Sequence, residues 1–204
     1  MKIAFSTLAC PQWSFQDITA AAKDMGFDGV EIRGLGENIY AVRAQPFSEK
    51  ELPETMRRLS QLRLEIPCFS SECCLKYPER AVENHQQLMA YIELAGKLRT
   101  PFIRVLADDT VQPQNDAIDD ALIAVQLRAL APAAEAQGVT LLVETNGAFA
   151  DTGRLFRLLE QVQSDAVAAL LDVHHPYRFA GESPEETVQN LGAYIRYVHV
   201  KDSV

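Results

Sequence analysis

Basic residues are outnumbered in this sequence, in which 19 lysines and arginines stand against 28 aspartates and glutamates over 204 residues. The formal net charge of −9 repels a phosphate backbone, and no basic stripe of the kind that binds nucleic acid is present. Long apolar runs are missing as well, since none reaches the ~18 to 20 residues that a membrane-spanning helix needs. We therefore expect neither a nucleic acid nor a membrane as a partner.

The features of a secreted protein are also missing. Residues 1–5 lead directly into a strand-like segment, without a separate apolar core and a small-residue cleavage site. The four cysteines are Cys10, Cys68, Cys73 and Cys74, and their spacing fits neither a zinc ribbon nor a disulfide framework. We predict reduced thiols in a cytoplasmic protein, with a metal-binding pair of the adjacent Cys73 and Cys74 as the alternative.

Short apolar runs alternate with longer amphipathic stretches along the whole sequence. The predicted strands cover residues 3–8, 29–33, 65–70, 102–106, 139–143, 167–171 and 196–201. The predicted helices cover residues 14–25, 48–62, 79–98, 116–137, 152–162 and 184–194. Ser14, Ser48 and Ser183 are the predicted N-caps, and Pro132 is expected to kink or break its helix.

This order of elements predicts an α/β fold. The strands at 139–143 and 167–171 are almost wholly apolar, which indicates burial on both faces, as in a parallel sheet covered by helices. Because the crossovers between parallel strands are right-handed, two architectures remain possible, an open doubly wound sheet and a barrel. No long linker or low-complexity segment is present, so we predict one domain over residues 1–204.

Three polar residues lie at the carboxyl ends of predicted apolar strands. Parallel α/β proteins have their active and binding sites at this edge of the sheet. The three residues are Glu144, Asp172 and His199. Two buried carboxylates repel each other, and a divalent cation between them removes that repulsion. Each residue also has an alternative role that needs no metal. Glu144 could be the ion-pair partner of Arg104, and Asp172 could cap the following turn. His199 could be a histidine packed in the core. Together they favour a metal site for Mn²⁺, Mg²⁺, Co²⁺ or Zn²⁺.

Five segments resemble one known family. The opening residues 5–14, the G-F-D-G-V-E-I-R of residues 26–33 and the V-E-T-N-G of residues 143–147 are similar to its first, second and fifth strands. The L-D-V-H-H-P of residues 171–176 and the H-V-K-D of residues 199–202 are similar to its sixth and seventh. The family is the xylose-isomerase-like (β/α)8 TIM barrels, or sugar phosphate isomerases and epimerases.

The resemblance implies a role for each matched position. Glu144 would bind the metal and act as one of two acid/base carboxylates, while Asp172 and His199 would complete the ligand set. Contacts to the substrate would come from four side chains, namely His175, Arg104, Lys201 and Trp13. The implied partner is a small-molecule sugar, and the implied cofactor is a divalent metal.

The chain departs from the family pattern at its C-terminal end. A barrel of this type has ~250 residues, and its fourth ligand is a glutamate after an eighth strand. Here the sequence stops at Val204, just past the seventh strand. We therefore expect about seven β/α units without the eighth strand, and unpaired edges on strands one and seven. Such edges predict self-association into a homo-oligomer, and the missing carboxylate predicts little turnover.

The expected reaction is an isomerisation or epimerisation of a sugar, sugar phosphate or keto-polyol by proton transfer through an enediolate. The first alternative is a dehydratase that uses the same metal site. A DNA-repair endonuclease of the same fold would need several metals, which four histidines and a charge of −9 do not favour. A non-catalytic binding protein or an inactive fragment is the remaining alternative.

Overall fold

The computed structural model describes residues 1–113 and 117–201, and these form two compact units. The first unit comprises Met1–Glu72, Ala90–Ile103 and Gln137–Val139. The second unit comprises the described parts of three segments, namely Cys73–Met89, Arg104–Ala136 and Thr140–Val204. The single domain predicted over residues 1–204 stays a prediction.

Strands and helices alternate along the chain, as predicted for the α/β class. The strands are β1 (Ala4–Ser6), β2 (Gly29–Glu31), β3 (Cys68–Cys74), β4 (Phe102–Leu106), β5 (Thr140–Glu144), β6 (Val167–Asp172) and β7 (Ile195–His199). The helices are α1 (Phe15–Asp24), α2 (Leu52–Leu62), α3 (Ala81–Leu98), α4 (Asp120–Ala136), α5 (Thr152–Val162) and α6 (Pro184–Leu191). Within the described ranges, none of these helices is both long and apolar enough to cross a membrane.

The first unit is organised around a short parallel pair and an aromatic core. β1 pairs with β2 in the register Phe5↔Val30. Beneath them, the rings of Phe47 and Phe69 meet edge to face with centroids 5.5 Å apart, and Phe69 lies 5.8 Å from Tyr91. Phe69 and Tyr91 are fully buried, and such ring pairs add stability beyond the apolar area that they remove from water.

The second unit is organised around a parallel sheet. β3, which enters this unit at Cys73, is followed in the sheet by β4, β5, β6 and β7. β5 and β6 are parallel with Leu141 opposite Val167, and β6 and β7 are parallel with Asp172 opposite His199. The apolar residues of β5 are fully buried, as the continuous apolar run predicted.

Helix α5 shows how the helices of the second unit cover this sheet. Its buried residues Leu155, Leu158, Leu159 and Val162 recur every three or four positions and so form one apolar stripe. Asp151 caps its first turn by accepting a hydrogen bond from the amide of Arg154. The observed bounds are those predicted for residues 152–162, because a cap and an apolar stripe are both local signals.

Other boundaries differ from the prediction. Ser48 is not the cap of α2, because its amide and hydroxyl both bond to the Gln45 carbonyl and close a 3₁₀ turn, so the helix begins at Leu52. β3 begins at Cys68 because Pro67 has no amide hydrogen for the ladder, and Glu65 makes only an isolated bridge. Ser14 and Ser183 are confirmed as N-caps.

The helix α4 continues through Pro132 without the break that the prediction allowed. Its observed start is Asp120, while the predicted start at Asp116 lies outside the described residues. A proline removes one backbone hydrogen bond, and the buried face on both sides of it, from Leu127 to Ala134, holds the helix together.

Candidate metal centre

Three neighbouring strands bring the predicted ligands to one edge of the sheet. Glu144, Asp172 and His199 are the last residues of β5, β6 and β7. Because these strands are parallel and adjacent, their carboxyl ends lie side by side. Both carboxylates are buried, with Glu144 7% and Asp172 1% exposed. We refer to these three residues, together with His175, as the candidate centre.

The distances within the candidate centre suit ligands of a single ion. One ligand atom from each of Glu144, Asp172 and His175 lies within 4.8 Å of the others. His199 Nδ1 is 3.6 Å from Glu144 Oε1, and His175 Nε2 is 3.9 Å from Asp172 Oδ2. Two atoms that each lie ~2.0 to 2.2 Å from one ion are separated by at most about twice that distance. Both pairs meet this limit, so Glu144, Asp172 and His175 fit a divalent metal. The predicted ligand His199 faces Glu144 but does not belong to the group whose ligand atoms all lie within 4.8 Å of one another.

Glu144 is ionised in spite of its burial. Burial by itself raises the pKa of this carboxyl, but the facing imidazole of His199, the guanidinium of Arg104 and the ring of His175 outweigh it. The pKa of Glu144 therefore falls from 4.5 to about 2. Arg104 Nε lies 3.5 Å from Glu144 Oε2, which is longer than an ordinary charged hydrogen bond.

His175 is held in one orientation by the backbone. Its Nδ1 lies 2.8 Å from the carbonyl oxygen of Thr145, and because a carbonyl only accepts, Nδ1 carries the hydrogen. The lone pair of the neutral ring is then on Nε2, which faces Asp172. Burial lowers the pKa of His175 below 6.5, and this favours the neutral ring that a metal requires.

Lys201 lies against two of the ligand atoms. Its Nζ is 2.7 Å from Asp172 Oδ2 and 2.7 Å from His175 Nε2. These two atoms are themselves 3.9 Å apart, so the ammonium is equally close to both and bridges them. An ion bound to both atoms would lie within bonding distance of the ammonium, which two cations do not tolerate. Binding of a metal there therefore requires Lys201 to move.

The remaining predicted contacts fall in different places. Arg104 is buried beside Glu144 in the second unit. Trp13 belongs to the first unit, where it is 48% exposed in the segment before α1, and its contact with a sugar stays a prediction. Asp202, the last residue of the H-V-K-D segment, lies outside the described residues.

A second buried carboxylate, which sequence reasoning did not place in a site, lies at the end of β4. Asp108 accepts hydrogen bonds from Lys76 Nζ at 2.7 Å, from the amide and hydroxyl of Thr110 at 3.0 and 2.8 Å, and from the amide of Ala148 at 2.9 Å. We call these four residues the Asp108 cluster. Lys76 also pairs with Asp109 at 2.9 Å. The available signal was a lysine directly after the apolar residues 73–75.

An aromatic residue that sequence reasoning also missed connects the candidate centre to a cavity. The ring of Phe179 lies 5.6 Å from that of His175 and 5.9 Å from that of His174. Phe179 also lines a cavity of about 510 Å³ whose polar walls come from Asp151, Arg154 and Glu182. The volume suits a small molecule with several hydroxyl groups.

The four cysteines are free and buried, which confirms the prediction of unbonded thiols. Burial raises the pKa of Cys74 to about 11. A thiol with so high a pKa stays protonated at neutral pH, and only a thiolate binds a metal well. The metal-binding pair of Cys73 and Cys74 stays the alternative prediction.

The family model for the xylose isomerase-like TIM barrel matches residues 19–204. The chain belongs to this family. Membership confirms the α/β barrel type that the sequence motifs predicted. Curated proteins gave no match to the chain.

Solved structures of this family resemble the chain over nearly its whole length. The probable 3-DHS dehydratase AsbF of Bacillus anthracis is 25% identical, with a TM-score of 0.76 over 98% of this chain and 72% of that one. A family member from Mycobacterium smegmatis in complex with magnesium is 17% identical, with a TM-score of 0.78 over 98% and 74%. The D-allulose 3-epimerase of Methylomonas sp., in complex with D-allulose, is 16% identical, with a TM-score of 0.77 over 98% and 72%. The last two likenesses concern the fold.

Proposed function

We propose that the chain is a divalent-metal-dependent isomerase or epimerase acting on a keto sugar, a sugar phosphate or a keto-polyol. The observation that carries the proposal is the convergence of two buried carboxylates and two imidazoles at the carboxyl edge of β5, β6 and β7. A barrel of this family places its chemistry at that edge. The cavity lined by Phe179 adjoins the ring of His175, while its described walls include none of the four residues of the candidate centre.

The proposed metal ligands are Glu144, Asp172 and His199, and His175 is near enough to serve as a further donor. Oxygen and nitrogen donors of this kind accept Mn²⁺, Mg²⁺, Co²⁺ or Zn²⁺ and do not select one of them. When bound, the ion would supply Lewis-acid stabilisation of the negative charge that forms when a proton leaves the carbon next to a ketone.

The side chains around the ligands have complementary tasks in this proposal. The ammonium of Lys201 and the guanidinium of Arg104 donate hydrogen bonds to substrate oxygens. The side chain of Lys201 is the more accessible of the two, since it is 43% exposed whereas that of Arg104 is 7% exposed. The Nε2 lone pair of His175 accepts a hydroxyl hydrogen wherever it does not bind the ion. Glu144 is ionised at neutral pH and so takes a proton rather than supplying one.

A dehydratase is the second candidate, and one observation favours it. The 25% identity to the probable 3-DHS dehydratase AsbF extends over 98% of the chain. Dehydration begins with the same removal of a proton next to a carbonyl, and the adjacent carbon then loses its hydroxyl group as water. The hydroxyl needs a proton as it leaves. The ammonium of Lys201 could donate it, because it lies at the edge of the sheet that carries the candidate centre.

The first test measures Mn²⁺ binding by isothermal titration calorimetry. The parent is expected to bind about one ion per chain, and Glu144→Gln is expected to lose binding because it removes a charged ligand. Glu185→Gln is the matched control, since it removes an exposed carboxylate of the same unit at the start of α6. Equal binding by the parent and Glu144→Gln would reject the proposed ligand set.

The histidine ligand is identified in the same experiment. If His199 is the nitrogen ligand, His199→Gln lowers the affinity far more than His175→Gln does. The reverse order would assign the ligand to His175 and leave His199 as the partner of Glu144.

The reaction is tested with the Mn²⁺-loaded chain in D₂O. Deuterium at the carbon next to the ketone of a keto sugar, observed by NMR, would support proton transfer and hence the isomerase or epimerase. Loss of water from 3-DHS would support the dehydratase. Metal binding without exchange or product on either substrate class would reject catalysis by this chain and leave only the metal site supported, in line with the low turnover expected from the sequence.

A further inference from the structure

Thr145 connects the parts of the candidate centre. It directly follows Glu144 and is completely buried. Its hydroxyl accepts a hydrogen bond from the amide of Asp172 at 2.9 Å and lies 3.3 Å from the Asp172 carbonyl oxygen, to which it donates. Its own carbonyl accepts from Nδ1 of His175 at 2.8 Å. One threonine therefore bonds to two residues of the candidate centre and is covalently attached to a third.

The bond between Asp172 and the hydroxyl replaces a bond of the sheet. In the parallel ladder of β5 and β6, the amide of Leu141 donates to Ala166 and the amide of Thr145 donates to Leu170. In a regular parallel ladder the next bond would run from the amide of Asp172 to the carbonyl of Thr145. Here the amide of Asp172 donates to the Thr145 hydroxyl instead.

The replacement of the Thr145 carbonyl by the Thr145 hydroxyl as acceptor depends on a turn at the end of β5. The amide of Asn146 bonds back to the carbonyl of Glu144 at 2.8 Å, so the chain leaves the plane of the sheet at this point. The carbonyl of Thr145 then accepts the hydrogen bond from Nδ1 of His175. The Thr145 hydroxyl accepts the hydrogen bond from the amide of Asp172 that the carbonyl would otherwise accept. A buried amide without an acceptor is costly, so the hydroxyl is what allows the carbonyl to serve the ring.

We propose that Thr145 is a positioning residue of the candidate centre: its hydroxyl substitutes for its carbonyl in the sheet, and the released carbonyl holds His175 with Nε2 toward Asp172. The effect on metal binding rests on the function proposed above, whereas the effect on the ring does not. Partners behind a ligand of this kind usually change metal affinity by ~10- to 100-fold.

The test compares two substitutions that differ in the hydroxyl. Thr145→Val keeps the branched shape and removes the hydroxyl, so the carbonyl is drawn back to the amide of Asp172. Thr145→Ser keeps the hydroxyl and is the rescue variant. Thr187→Val is the matched control, since it removes a buried hydroxyl that bonds to Glu182 in the same unit, away from His175.

The primary measurement is the position of the ring hydrogen, read from ¹⁵N chemical shifts of the full-length chain without added metal. His175→Gln identifies the signals of His175. The parent, Thr145→Ser and Thr187→Val are expected to show the hydrogen on Nδ1, and Thr145→Val a mixture of the two tautomers. The second measurement is Mn²⁺ affinity, which we expect to fall ~10- to 100-fold in Thr145→Val alone.

The outcomes separate this inference from the proposed function. A parent ring with its hydrogen on Nε2 would overturn the inference even if Thr145→Val failed to fold. The inference would also be overturned if Thr145→Val showed the same His175 tautomer and the same Mn²⁺ affinity as Thr187→Val. If no variant binds Mn²⁺ but the tautomer shifts only in Thr145→Val, the positioning role stands and the metal proposal fails.

Discussion

The second unit contains two groups of buried carboxylates that differ in how their charge is met. In the Asp108 cluster, four donors of the chain lie 2.7 to 3.0 Å from one carboxylate. In the candidate centre, Arg104 Nε and His199 Nδ1 lie 3.5 and 3.6 Å from the carboxylate of Glu144. Asp108 accepts four short hydrogen bonds, whereas these two contacts of Glu144 are longer.

This difference separates a structural carboxylate from one that is suited to a ligand. A buried carboxylate whose lone pairs are used by close donors is stable without help and has little to offer an ion. A buried carboxylate whose counter-charges stand further away keeps lone pairs for an incoming cation. Burial and negative charge are common to Asp108 and Glu144, so the distance to the donors is the quantity that separates these two carboxylates. Asp172 of the candidate centre resembles Asp108 in this respect, because Lys201 Nζ lies 2.7 Å from it.

The largest expected effect comes from opening the Asp108 cluster. Lys76→Met removes the ammonium from a pair whose side chains are 8% and 2% exposed, and leaves Asp108 buried without its cation. Loss of one partner from such a pair costs ~3 to 5 kcal/mol in unfolding free energy. Urea denaturation measures it. Lys97→Met, which breaks an exposed pair with Glu93, is the control and should cost less than ~1 kcal/mol. Equal costs would mean that Lys76 does not supply the counter-charge on which the buried Asp108 depends.

The next effect is an acid dependence that originates in the candidate centre. Burial raises the pKa of Glu144, but His199, Arg104 and His175 reverse this and lower it from 4.5 to about 2. A carboxyl with a lowered folded-state pKa stabilises the fold above pH 4.5, and this contribution disappears as the pH falls through 2. As the pH falls from 4.5 to 2, the unfolding free energy of Glu144→Gln should therefore decrease less than that of the parent, with a difference of about 3 kcal/mol. Parallel curves of unfolding free energy against pH would contradict it.

A smaller effect is expected at the glycine that borders the Asp108 cluster. Gly147 has a φ of +57°, and a methyl group there would overlap Asp108 Oδ2 and come within 2.6 Å of the Thr110 carbonyl. Gly181 has a φ of +68° with no atom within 4 Å, so Gly181→Ala measures the backbone cost alone, ~1 to 2 kcal/mol. Gly147→Ala should cost ~2 kcal/mol more, because it also displaces the carboxylate from its donors. Similar melting curves for the two variants would show that the cluster adapts freely.

The smallest effect concerns the cation already present in the candidate centre. Lys201→Met removes an ammonium that lies 2.7 Å from both Asp172 Oδ2 and His175 Nε2. Mn²⁺ then binds without displacing it, and we expect a ~10-fold higher affinity, which corresponds to ~1.4 kcal/mol. Calorimetric titration measures the change, with Lys97→Met as a lysine control away from the ligands. A lower affinity in Lys201→Met would indicate that the lysine assists binding instead.

Local patterns were enough to predict much of the fold. The bounds of β4 and α5 agree with the prediction because apolar runs and capping residues act over a few positions. The predicted cap at Ser48 and the predicted start of β3 were wrong, since a 3₁₀ turn and Pro67 shift those boundaries. The proximity of Glu144, Asp172 and His199 was predictable as well, because consecutive parallel strands end at one edge.

The sequence did not reveal how individual side chains are oriented within the site. His175 was predicted as a substrate contact, yet its Nε2 lies among the ligand atoms because a backbone carbonyl holds its other nitrogen. Thr145 has no recognisable signal beyond its position after Glu144, since its role depends on a sheet bond that its hydroxyl takes over. Such contacts require both strands to be in place.

The sequence by itself determined the order of strands and helices, the family, and which carboxylates end apolar strands. Its family resemblance singled out Glu144, but it did not show how the charge of Asp108 is neutralised. Only the tertiary structure decided that, because the donors to Asp108 include Lys76 and Ala148, 32 and 40 positions away in the chain. Hydrogen bonds act over about 3 Å, and only folding brings residues so far apart in sequence to that distance.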